Sequence, residues 1–183
     1  MKTRTKALLL TLCAALLVCA TVLATMAFLT ATDSVKNTFT VGNVAITLDE
    51  AKVDANGQAE TPENRVNANT YKLIPGKTYA KDPTIHVAPN SEDCWLFVKL
   101  ENGLVNITGA TTIEDQMTAN GWTVIDDTKN IYAYQSIASA DADVVVFETF
   151  TLAETAAVEG YETAKIVVTA YAVQADGFDT VEE

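Results

Sequence analysis

Cys94-Trp95-Leu96-Phe97-Val98-Lys99-Leu100 (CWLFVKL) is the most apolar strand candidate in the chain. Side chains alternate along an extended segment, so Leu96, Val98 and Leu100 share one face. Trp95 and Phe97 make the other face apolar too, until Lys99 and Glu101 return it to solvent. A short run that is apolar on both faces and closed by the turn pair Asn102-Gly103 reads as a central strand.

Stretches of the same kind lie on both sides of it. Thr84-Ile85-His86-Val87 alternates, with Pro83 marking an edge strand or a strand start. Trp122 to Ile125 and Ile131 to Tyr134 form a hairpin across a five-residue turn, 126–130. Val144 to Leu152 reads as one long strand. Ala164 to Gln174 is the most regular, and its small and branched residues on alternating sides suit the middle of a sheet. Thr111 with Glu114 has the spacing of a capping box, and Asn120-Gly121 supplies a C-cap, which predicts one short helix over 111–121. Pro75-Gly76 is a turn, and residues 49–70 are polar enough to be a long exposed loop with a short hairpin at Asn56-Gly57. Many strands, one helix and no heptad or repeat define an all-β fold, a jelly-roll-like β-sandwich.

The N-terminus follows different rules. Lys2, Arg4 and Lys6 precede an uncharged apolar run from Ala7 to Leu29. Thr25-Met26-Ala27 places small side chains where a signal peptidase reads, so residues 1–27 are predicted to be a signal-peptide helix cut between Ala27 and Phe28. The run is long enough to span a bilayer, but no basic stop-transfer cluster follows it. Residues 28–183 are then the β-sandwich domain. It opens with a strand over Thr38 to Leu48, whose apolar positions are Phe39, Val41, Val44, Ile46 and Leu48, with a bulge at Gly42-Asn43.

Four patches in order carry a family resemblance. Asn37, Phe39, Gly42, Val44 and Ile46 come first; Leu73, Pro75, Gly76, Lys81 and Asp82 follow. Trp122, Tyr132 and Tyr134 form the third patch and Ile166 to Phe178 the fourth. Together they resemble the TasA/camelysin family. The resemblance implies an exported protein whose signal is removed by a SipW-type signal peptidase, and a subunit of cell-surface or biofilm-matrix fibres.

Composition narrows the function classes. All 24 acidic residues and nine of the 12 basic ones follow residue 27, leaving the predicted mature chain at net charge −15. That balance lacks the basic footprint of a nucleic-acid binder and disfavours an anionic membrane surface, so membrane contact is expected only through the uncleaved signal. Two of three cysteines lie within residues 1–27, so Cys94 has no partner for an intramolecular disulfide and reads as a buried thiol. His86 is the only histidine, which rules out a His-Glu-x-x-His zinc motif; it is expected to face solvent. No nucleophile elbow, phosphate loop or ligand cluster accompanies it, so neither an enzyme nor a cofactor is expected.

The expected function is therefore structural. The freed segment from Phe28 to Leu48 would add as a strand to a neighbouring subunit, and head-to-tail exchange of this kind builds a filament. Two alternatives belong to other classes: a camelysin-like cell-surface metalloprotease, and a glycan- or host-binding adhesin that uses Trp122, Tyr132 and Tyr134.

Overall fold

The computed structural model describes residues 5–6, 12–17, 43–60 and 64–181. The chain divides into two units, Met1–Thr40 and Val41–Glu183. In the first, residues 12–17 are helical. No helix among the described residues is long and apolar enough to cross a membrane. The predicted cleavage residues Ala27 and Phe28, and the strand residues Phe39 and Val41, lie outside the described residues.

The second unit is all-β. Its strands are β1 (Ile46–Ala51), β2 (Arg65–Val66), β3 (Thr78–Ala80), β4 (Thr84–Val87), β5 (Cys94–Asn102), β6 (Trp122–Asp126), β7 (Ile131–Tyr134), β8 (Asp143–Val145), β9 (Thr149–Thr151) and β10 (Ile166–Gln174). Among the described residues of this unit, one helix, α1 (Ile113–Ala119), and one 3-10 turn at Val105–Ile107 interrupt them. One sheet has the order β2-β1-β4-β8, a second β10-β5-β7-β6, and β3 pairs with β9. Every pairing is antiparallel. Ile85 and Val87 from the first sheet meet Leu96, Val98 and Leu100 from the second in one continuous core, completed by Trp122, Phe147 and Phe150.

β5 is central, as its two apolar faces require. Leu96, Val98 and Leu100 are buried in the main core, and Cys94 is a buried thiol. On the outer face, Trp95 is covered by Ala175 and Val181, where the C-terminal residues fold back over the sheet.

Several expectations are corrected. Val144 to Leu152 is not one strand. The chain leaves β8 at Val145 and joins a different pairing at Thr149, and the corner is filled by fully buried Val146 and Phe147. Continuous hydrophobicity marks burial there rather than one straight element. The helix is capped one residue later than predicted: the Thr112 hydroxyl accepts from the Asp115 amide, and the Asp115 carboxylate accepts from Thr112. β4 lies between β1 and β8, so His86 is on an interior strand. β1 begins at Ile46 and continues to Ala51, past the predicted end at Leu48, because Glu50 and Ala51 pair with Val66 and Arg65. The segment 49–70 is consequently not a plain exposed loop. Finally, β10 occupies the end of its sheet, not its middle. Both of its faces are apolar enough for either place, and only the sheet order decides.

Candidate functional site

Among the described residues, β10 has a strand neighbour on one side only, β5. Its register with β5 is unbroken from Ile166↔Asn102 to Gln174↔Cys94. Just beyond its two ends, Gly103 donates to the Lys165 carbonyl at 2.9 Å and Ala175 donates to the Asp93 carbonyl at 2.8 Å. Hydrogen-bonded pairs alternate along an antiparallel ladder, so the odd positions of β10 bond to β5. The amides of Val168, Ala170 and Ala172 therefore point away from the sheet. The odd side chains face solvent: Val167, Tyr171 and Val173 are 39%, 52% and 44% exposed. A nine-residue strand whose outer ladder has no partner among the described residues, with an apolar outer face, is the kind of edge that invites another strand.

A cavity of ≈ 1050 Å³ borders the first part of that edge. Ile166, Val167 and Val168 form one side and Leu48 to Glu50 of β1 another, with Leu104 and Phe150 also lining it. β2 pairs with β1 only at Glu50 and Ala51, so among the described residues Ile46 to Asp49 has a strand neighbour, β4, on one side alone. The cavity thus lies between two strand edges, one from each four-stranded sheet.

Among the donor-strand residues expected from sequence, Val44, Ile46 and Leu48 are half-buried against the chain's own core. Ile46 and Leu48 are paired with Val87 and Ile85. Upstream, the Glu92 amide donates to the Asn43 carbonyl at 3.0 Å, which fixes the point where the chain enters the domain. The aromatic trio does not form an exposed platform. Trp122 is 1% exposed, donates its indole N–H to the Val145 carbonyl at 3.0 Å, and packs on Tyr134 with ring centroids 5.3 Å apart. Tyr132 and Tyr134 are half-buried against the same core. A ligand has no face of Trp122 to stack on, because hydrophobic burial takes the ring inside.

Polar chemistry gathers around β1 and β4, and it draws Arg65 and Asn69 from the segment 49–70, which the sequence reads as a loop with a short hairpin. Arg65 bridges Asp49 at 2.6 Å and Asp82 at 2.7 Å. His86 contacts Asp143 through Nδ1 at 2.5 Å and Asp49 through Nε2 at 2.9 Å, linking β8, β4 and β1. Burial opposes protonation of His86, but the hydrogen bonds and charges of the two carboxylates outweigh it and hold its pKa above the ordinary value. Burial likewise works against the Asp49 carboxylate, and Arg65 and His86 reverse it, keeping that pKa low. Next to this network, Glu50 and Lys81 form a buried ion pair, and Asn69 donates to Glu50 at 3.0 Å. Burial first, and then the nearby Glu50 charge, raise the Tyr71 phenol. Among the described residues, no group of three His, Cys, Asp or Glu side chains could hold a metal ion. Sequence patterns mark none of Glu50, Arg65 and Asn69 as site residues, and Lys81 and Asp82 enter only through the second patch of the resemblance; the other signal is the strand pattern of β1 continuing through Asp49 and Glu50.

No family model, no curated protein and no solved structure matches the chain.

Proposed function

We propose that this chain is an exported structural subunit of cell-surface or biofilm-matrix fibres, with a jelly-roll-like sandwich as its body. Its N-terminal segment joins neighbours head to tail. SipW-type processing after Ala27 frees Phe28 onward, and the freed segment adds as a strand to the next subunit. Until the cut, the segment stays tethered at the membrane and assembly waits.

The observation that carries this reading is the open edge of β10, which faces a cavity also bordered by the half-paired start of β1. A strand placed there satisfies the outward amides of β10 and covers apolar surface left in contact with water. Donor and acceptor are different segments of the chain, so the contact is heterologous and head-to-tail addition builds a filament. Ile46 and Leu48 are paired within their own sheet, so the transferable part is the chain that precedes Asn43.

Electron microscopy of protein beginning at residue 28 against protein beginning at residue 41 tests the proposal. Fibres from the first and none from the second are expected. Fibres from both would remove the donor role.

A further inference from the structure

The geometry points to a self-catalysed intramolecular amide bond between the Lys81 side chain and the Asn69 side chain, with Glu50 as the proton carrier. The two reacting groups hang on the two oxygens of a single carboxylate. Asn69 Nδ2 donates to Glu50 Oε1 at 3.0 Å, and Lys81 Nζ donates to Glu50 Oε2. Glu50 is 4% exposed and Lys81 9%, so little water competes for either. A buried amine and carboxylate with a half-buried carboxamide hydrogen-bonded to the same carboxylate have the positioning that makes an otherwise slow aminolysis proceed unaided.

The remaining contacts of Asn69 suit the same chemistry. Its Oδ1 accepts the Val53 amide at 3.0 Å, a donor aimed at the oxygen on which negative charge develops. Its Nδ2 also donates to the Ala51 carbonyl at 2.8 Å, which orients the leaving nitrogen. Tyr71 packs edge-on against Tyr79 and Phe150, and Tyr71 and Phe150 line the same cavity as Glu50, Asn69 and Lys81. The cavity beside β10 reaches Glu50, Asn69 and Lys81 and gives the released nitrogen a way out.

The step balances without any co-reactant. Glu50 takes a proton from the Lys81 ammonium, and the free amine attacks Cγ of Asn69. The Nζ–Cγ bond forms and the Cγ–Nδ2 bond breaks. Of the three ammonium protons, one remains on the new amide and two pass by way of Glu50 to the departing nitrogen, which leaves as ammonium. Glu50 ends as it began, a carboxylate. The product ties the segment after β2 to the segment between β3 and β4, in a domain whose described residues hold one cysteine, Cys94.

Intact-mass spectrometry of the purified protein, measured against the mass calculated for its own N-terminus, decides the matter. The wild type is expected to be about 17 Da light, the mass of ammonia. Trypsin should then leave Lys81 uncut and yield a branched peptide joining residues 66–72 to residues 78–99. Glu50→Gln keeps the shape of the side chain, and with Lys81→Met it should restore the full mass. The pairs Asn56-Gly57, Asn102-Gly103 and Asn120-Gly121 can also lose ammonia, through a cyclic imide, but that loss would persist in Lys81→Met. A folded wild type at full mass overturns the proposal, and so does an equal deficit in Lys81→Met. The wild-type measurement stands whether or not the variants fold.

Discussion

Replacing Ala170 with proline separates the outer edge of β10 from its inner one. Alternation along the ladder places the Ala170 amide on the outward side and the amides of Thr169 and Tyr171 toward Lys99 and Phe97. Proline removes one N–H and projects its ring along the outward direction, which an edge strand tolerates when that side is unpaired. The isolated domain should therefore lose no more than about 1 kcal/mol, since β5 keeps all its partners and a fixed φ also restricts the unfolded chain. A strand docking on the edge loses a hydrogen bond of about 0.5–1.5 kcal/mol at the middle of the nine-residue ladder and meets a ring in its path. A combined penalty of about 1–3 kcal/mol weakens each subunit contact by about 5- to 150-fold. Urea unfolding of the monomer and the critical concentration for assembly, read by sedimentation and microscopy, measure the two effects separately. Thr169→Pro is the internal control: it deletes an inward amide and should destabilise the monomer instead. Assembly of Ala170→Pro at the wild-type critical concentration would refute the docking edge. Equal monomer losses in the two proline variants would refute the assignment of inward and outward amides.

Two further predictions concern the fold itself. Gly57 has φ +72° and an added Cβ would stand 2.3 Å from Cδ1 of buried Tyr79, whose hydroxyl is held by Ile74 and Lys72. Gly57→Ala should cost about 2–5 kcal/mol, from the left-handed backbone and the forced ring together, seen as a lower urea midpoint with an unchanged slope. His86, with its pKa held above 6.5 by Asp49 and Asp143, contributes stability that is complete below pH 6.5 and is lost as pH rises through the folded value. The stability difference between wild type and His86→Gln should thus be larger at about pH 5.5 than at about pH 8.5, and a difference that grows with pH would contradict the network.

Local sequence rules found the elements wherever one physical signal was sufficient. CWLFVKL is apolar on both faces and became the central strand. Thr84–Val87, the Trp122–Tyr134 hairpin and the short helix all form near their predicted places. The turn at Pro75-Gly76 has glycine at φ +74° with the Lys77 amide donating to the Ile74 carbonyl, as a proline-glycine pair dictates. The Thr111/Thr112 slip at the helix start shows the limit: two adjacent threonines offer the same hydroxyl, and the acidic partner that closes the box decides between them.

Sequence by itself determined most of the longer strands, the one short helix and the Pro75-Gly76 turn, and that an acidic domain whose one cysteine is Cys94 would need a large apolar core. Tertiary structure alone decided which strands are neighbours. It turned Val144–Leu152 at a buried corner, moved β10 to an open edge, and brought Glu50, Asn69 and Lys81 to a common point. The reason is physical: alternation and propensity act over a few residues, whereas sheet order is fixed by which apolar faces fill one core together. Asn69 and Lys81 lie on different segments and Glu50 on a third, so their meeting exists only after β1, β3 and β4 have taken their places around that core.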